Sequence, residues 1–166
     1  MKNINLKDKE KTYLKILTVI LVINIISMIP LIILNISLSK SVGVGRSMEP
    51  SIPNGCQTLN SSLYLSINKG DIICANPRND GENYIVAKRV VATEGDHVYM
   101  HNGHLYINDI EDTTDSNAIY DAEIDLVIPK NCYYILGDNR NHSKDSRAYG
   151  YITKGEIVSK VIKIYK

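Results

Sequence analysis

Three stretches of this chain carry side chains able to make or break a covalent bond. Gly45-Arg46-Ser47-Met48-Glu49-Pro50-Ser51-Ile52 sets a serine between a glycine, which permits unusual backbone angles, and a proline, which stiffens the residues after it. Alone it is a turn with a serine in it. Ala87-Lys88-Arg89-Val90-Val91 places a lysine in the middle of an apolar run. A solvent-facing strand position is the ordinary explanation, and burial is the sharper one. A free lysine has a pKa of ~10.4, so at about pH 7.5 roughly one in a thousand is neutral. Burial among apolar neighbours lowers that value by as much as ~3–5 units, and a drop of ~3 units, about 4 kcal/mol, would make Lys88 a usable general base. The third stretch, Gly137-Asp138-Asn139-Arg140-Asn141-His142-Ser143-Lys144-Asp145-Ser146-Arg147-Ala148-Tyr149-Gly150, is dense in short polar and charged residues. In it an Asp145–Arg147 pair and the Ser143 hydroxyl could orient a neighbouring catalytic group.

The elements that would hold these residues read as strands and turns. Runs at 71–76, 84–92, 97–100, 104–107, 132–136 and 156–165 are rich in β-branched, aliphatic and aromatic residues and stop at Gly, Pro, Asn or Asp. Asn102-Gly103 between two of them is a hairpin signal, because both residues accept positive φ. No stretch after residue 40 shows a 3.6-residue period. The expectation is an all-β fold, an antiparallel β-sheet domain over 40–166.

Ahead of it, Ile16 to Leu38 carries no charge and would span roughly 34 Å as a helix, against a hydrocarbon core of ~30 Å. It exceeds the ~7–15 apolar residues of a cleavable signal peptide and is followed by no clear small-x-small site, so it reads as a retained anchor. Pro30 is expected to kink it. Lys2, Lys7, Lys9, Lys11 and Lys15 precede the anchor, which puts a cytoplasmic tail at 1–15, a single transmembrane pass at 16–38 and an extracytoplasmic domain at 40–166. That domain has 14 Lys+Arg against 16 Asp+Glu, a balance that argues against nucleic acid as a partner.

Other candidates carry less. Cys56, Cys74 and Cys132 form no C-x-x-C and read as packed, reduced thiols. His101 and His104 flank a turn and read as surface residues, and no metal is expected. The seven acids between Asp109 and Asp125 read as a solvated excursion with a short strand near 124–128. With no Phe or Trp, the 11 tyrosines are expected to fill much of the core.

The set Ser-Met-Glu-Pro-Ser-Ile, Lys88-Arg89-Val90 and GDNRNHSKDSRAYG, in that order behind one anchor, resembles the bacterial type I signal peptidases in their compact Gram-positive form. The last stretch fits the family pattern GDNRxxSxDSR, and the resemblance covers residues 12–166. It implies a membrane-anchored serine endopeptidase that cleaves signal peptides from exported preproteins after small-x-small sites, without a cofactor. Ser47 would be the nucleophile, neutral Lys88 the general base, and the Ser47 N–H an oxyanion donor. Ser143 would hold the lysine, and Asp145 and Arg147 would form a supporting ion pair, while Asp138, Asn139, Arg140 and Ser146 would be scaffold. Where many Gram-negative members have a second oxyanion serine this chain has Gly45, which leaves that donor unassigned. The peptide would add as a strand beside Tyr84–Lys88, with Gly45, Met48, Ile85, Val86 and Ala87 as its binding residues, and Met48 and Ile52 would face the bilayer. The partners implied are preprotein signal peptides and the lipid bilayer, and the chain would act as a monomer. Two alternatives stand beside this reading: a specialised peptidase for a few clients such as pilins or conjugation precursors, and a catalytically dead anchored domain that only binds peptides.

Overall fold

The computed structural model describes residues 6–63, 66–78, 81, 84–114 and 123–165, and the chain divides into two compact units between Ser37 and Leu38. The first unit is one helix, α1, Leu6–Ser37, which begins well ahead of the charge-free run and continues through Pro30. Lys9–Asn35 within it contains an 18-residue window with a mean hydropathy of 2.8, long and apolar enough to cross a membrane. Its polar side chains turn back onto the helix: Thr18 Oγ1 donates to the Leu14 carbonyl at 2.9 Å and Asn24 Nδ2 to the Ile20 carbonyl at 2.8 Å. A polar group satisfied within its own turn costs little in hydrocarbon.

The second unit is two antiparallel sheets. Its strands are β1 (Leu38–Val42), β2 (Gln57–Ser61), β3 (Ile72–Ala75), β4 (Val86–Thr93), β5 (His97–His101), β6 (His104–Ile107), β7 (Ile110–Glu111), β8 (Asp125–Val127), β9 (Cys132–Leu136), β10 (Ile152–Thr153) and β11 (Ile157–Tyr165). Seven form one sheet in the order β1-β2-β11-β3-β4-β9-β10, and four form the other in the order β7-β6-β5-β8. The β5–β6 hairpin turns at Asn102 and Gly103, whose φ values of 52° and 80° are those its sequence calls for. The short strand expected near 124–128 is β8; β1 and β2, with few apolar residues, carry no comparable sequence signal.

Strand β4 alternates buried and half-buried positions along its whole length. Val86, Lys88, Val90 and Ala92 therefore share its buried face, and the lysine takes a core position. Val90 packs with Ile73, Ile135 and Ile152, while Ala92 belongs to a second cluster around Val98, Leu105 and Leu136. The core is chiefly aliphatic. Only Tyr134 and Tyr149 are buried among the described tyrosines, and Tyr13, Tyr84, Tyr151 and Tyr165 are exposed, so the expected tyrosine-filled interior is not found. Ile, Leu and Val fill the space between strands without a hydroxyl to satisfy. Met48 and Ile52 are also buried, against Ile72 and beside Ala87 and Val161. The expectation that they face a bilayer is corrected, because they fasten the Ser47 loop to the sheet.

Candidate active site

Ser47 lies in the turn joining β1 to β2. Gly45 precedes it with φ 96° and donates its N–H to Asn54 Oδ1 at 2.9 Å, and the Ile52 N–H closes the turn onto the Met48 carbonyl at 2.8 Å. Buried Met48 and Ile52 on either side of that closure fix the turn, and the Ser47 side chain stays half-buried. Lys88 reaches it from β4. Its Nζ lies 2.9 Å from Ser47 Oγ, within hydrogen-bond range, and the residue is only 4% exposed. The Ser47 N–H donates to no described residue.

The stretch after β9 wraps this pair. The Asn139 N–H donates to the Ser47 carbonyl at 3.0 Å. A Cβ built on Gly137 would stand 2.5 Å from that same oxygen and would collide with the Ser143 side chain, so only glycine lets the chain pass there. The Gly137 N–H donates to Asp145 Oδ2 at 2.9 Å, and its carbonyl accepts from Arg140. Asp145, 1% exposed, caps the one-turn helix α2, Ser146–Tyr149. Arg147 grips it in a fork, Nε on Oδ1 at 2.7 Å and Nη2 on Oδ2 at 2.8 Å, and also donates to the Arg140 and Ser143 carbonyls. Ser146 Oγ accepts the Ile135 N–H at 2.9 Å, which ties α2 to β9.

A second fork ties three segments together. Arg89 donates to Asp138 through Nε at 2.7 Å and Nη2 at 2.6 Å, to the Gly70 carbonyl at 2.7 Å, and to Ser51 Oγ at 3.1 Å. Burial pushes the Asp138 carboxyl up, but the bonds from Arg89 and Ser51 and the charges of Arg89 and Arg140 outweigh it and hold the group below the ordinary carboxylate range. The Ser47 loop, the Lys88 strand and the 137–150 stretch thus share one guanidinium.

Sequence reasoning placed Asp138 in the scaffold but found neither its partner Arg89 nor Ser51. The available signal was strand alternation, which turns Arg89 to the face opposite Lys88. Two further readings change. Asp112, from the acidic excursion, is not solvated: it accepts from buried Arg140 at 2.8 and 3.0 Å. The Ser143 hydroxyl, expected to hold Lys88, is buried without a hydrogen-bond partner among the described residues.

A cleft of about 640 Å³ opens beside the Ser47–Lys88 pair. Gly45, Met48, Ile85, Val86 and Ala87 line it, together with residues of β1, β2 and β11. Strand β9 pairs with β4 only from Arg89 onward, so the outer edge of Val86 and Ala87 carries no strand among the described residues. Cys74 also lines the cleft; burial pushes its thiol up, opposed by a bond with Ser159. Cys56, Cys74 and Cys132 are all free.

The pattern of the family described as "Signal peptidase, peptidase S26" matches residues 13–166. Signal peptidase I P of Bacillus subtilis subsp. natto is 33% identical over 144 residues, covering 76% of each chain. Signal peptidase IB of Staphylococcus aureus is 31% identical over 145 residues, covering 70% of this chain and 72% of that one. The chain belongs to the signal peptidase family, peptidase S26, and is a type I signal peptidase. A crystal structure of a signal peptidase I from Enterococcus faecalis V583 overlaps it with a TM-score of 0.48 and 27% identity, over 61% of this chain and all of that one. Type I signal peptidases are serine peptidases that work in protein secretion, and in this one the Ser47 hydroxyl lies 2.9 Å from the buried Lys88 amine.

Proposed function

We propose that this signal peptidase cuts exported preproteins after small-x-small sites with Ser47 as nucleophile and uncharged Lys88 as general base. The observation that carries the reading is a lysine amine withdrawn from water and 2.9 Å from a serine hydroxyl. Withdrawal from water disfavours an ammonium, which is the condition a lysine base requires.

The signal peptide lies extended along the open edge of Val86 and Ala87, gaining main-chain hydrogen bonds as an added strand. Ser47 Oγ attacks the scissile carbonyl carbon as its proton passes to Lys88 Nζ. The oxyanion that forms takes the Ser47 N–H, aimed at developing charge rather than at the substrate's ground state. When the tetrahedral species collapses, the Lys88 ammonium returns a proton to the leaving amine, and the acyl group stays on Ser47. Lys88 then takes a proton from water, whose oxygen attacks the ester; as the second tetrahedral species collapses, the bond to Ser47 Oγ breaks, Lys88 returns the proton to that oxygen, and the signal peptide leaves. The Arg89–Asp138 and Arg147–Asp145 forks touch no reacting atom; they hold the two loops that meet at the pair. Helix α1 anchors the enzyme in a single pass, with Lys7, Lys9, Lys11 and Lys15 on the cytoplasmic side and the β-domain outside.

The test is the detergent-solubilised full chain incubated with an Ala-x-Ala precursor and read by product mass. Ser47→Ala and Lys88→Ala should lower kcat by about a thousandfold or more while the circular dichroism spectrum is retained. Lys88→Arg should be as inactive, because a guanidinium carries the charge but does not give up its proton. The wild-type rate should rise with pH as one base loses its proton, as a general base that must be uncharged requires. Cleavage at the wild-type rate by either alanine variant would remove the dyad.

A further inference from the structure

Polar side chains from four strands form part of the cleft's lining. Ser39, Ser41, Thr58, Asn60, Cys74 and Ser159 line it, drawn from β1, β2, β3 and β11. Thr58, Asn60 and Ser159 are all buried. Burying hydroxyls and an amide in a pocket meant only for aliphatic side chains costs free energy without return.

Their bonding has a direction. Asn60 Nδ2 donates to Ser41 Oγ at 2.7 Å, and Ser41 Oγ shares a proton with Thr58 Oγ1 at 2.9 Å. With its amide nitrogen so committed, Asn60 presents its oxygen, and that oxygen is buried with no partner among the described residues. Ser41, at the front of this relay, is exposed in the cleft. The group therefore offers an anchored hydroxyl backed by an unmatched acceptor.

Strand geometry sets which position of the substrate meets it. Side chains of an extended peptide alternate, so the first and third residues before the cut point to one side, roughly 7 Å apart. The first sits at Ser47 and Lys88. The polar lining runs outward from Ala87, the residue before Lys88: Ala87 pairs with Cys74, Cys74 with Ser159, and β2 and β1 continue the sheet.

We propose that this polar lining is a specificity site that selects a small hydroxyl-bearing side chain, serine or threonine, at the third residue before the scissile bond, with Ser41 making the contact and Thr58 and Asn60 setting its polarity. The inference rests on the proposed placement of the peptide along Val86 and Ala87. Valine matches threonine in size and lacks the hydroxyl, so in this site valine would leave the relay unmatched, whereas a purely steric pocket would treat the two alike.

The experiment measures kcat/KM of the solubilised full chain on three precursors that differ only at that residue: alanine, threonine and valine. Wild type should favour threonine over valine by about tenfold or more. In Asn60→Leu, and independently in the pair Ser41→Ala with Thr58→Val, the threonine-to-valine ratio should fall below one. A ratio near or below one in wild type, with the alanine precursor cleaved, overturns the proposal and leaves the dyad standing. So does a ratio that the variants leave unchanged. Failure to cleave any of the three precursors overturns both.

Discussion

Gly137→Ala tests whether the loop after β9 is a precision support for Ser47 or merely its neighbour. The added Cβ would stand 2.5 Å from the Ser47 carbonyl oxygen, and real Cβ contacts essentially never fall under 3.0 Å, so the two backbones must separate by at least about 0.5 Å. The Ser143 side chain blocks the other direction. Separation strains the Asn139–Ser47 bond of 3.0 Å and the Gly137–Asp145 bond of 2.9 Å. Overpacking of this kind costs about 1–3 kcal/mol. For a domain of this size each kcal/mol is worth roughly 3–5 °C, so Tm should drop by about 3–15 °C. Activity should suffer more, because a displacement approaching ~1 Å at the reacting atoms costs on the order of a hundredfold. The assay pairs thermal melts with initial rates on an Ala-x-Ala precursor, at a temperature where the variant is fully folded. Gly155→Ala is the control, since its new Cβ would meet only Thr153 Oγ1, at 4.0 Å. If Gly137→Ala matched Gly155→Ala in both melt and rate, the loop would not be positioning Ser47 and the reasoning would fail.

Arg147→Ala should cost about 3–5 kcal/mol and lower kcat with it, because Asp145 is left buried without its fork and the Arg140 and Ser143 carbonyls lose a donor. An unchanged melting temperature with full activity would remove that support. Asp138→Asn should cost about 1–3 kcal/mol at neutral pH, discounted because Arg89 is partly in water. The folded Asp138 carboxyl sits below its unfolded value of ~3.9, so its stabilisation is fully present above about pH 4 and is lost as pH falls through the folded value. Asp138→Asn should therefore flatten the acid side of the Tm–pH curve, and a curve of unchanged slope would show that the pair does not carry it.

The residues proposed to do chemistry stood out in the sequence because chemistry restricts residue type more tightly than packing does. A lysine inside an apolar strand run, a serine between glycine and proline, and an Asp-Ser-Arg triplet each break the local pattern, and a broken pattern is visible in one dimension. The strands that read most easily, such as β4 and β9, carry the apolar residues that fill the core. β1 and β2 did not read, because their sequences, LSKSV and QTLNS, are mostly polar. That polarity is what makes them informative afterwards. A strand that buries Thr58, Asn60 and Ser61 near the edge of a sheet gains little from the hydrophobic effect, so packing does not explain its composition. The partners of Asp138 and Arg140 were hidden for another reason. Arg89 and Asp112 lie far from them along the chain, and nothing in a strand's alternation or an acidic run says which distant ion it will meet. Those long-range pairs are where the precision of the site lies: Ser47 and Lys88 sit on separate segments, and the 2.9 Å between them is only as steady as the ion pairs that stitch those segments together.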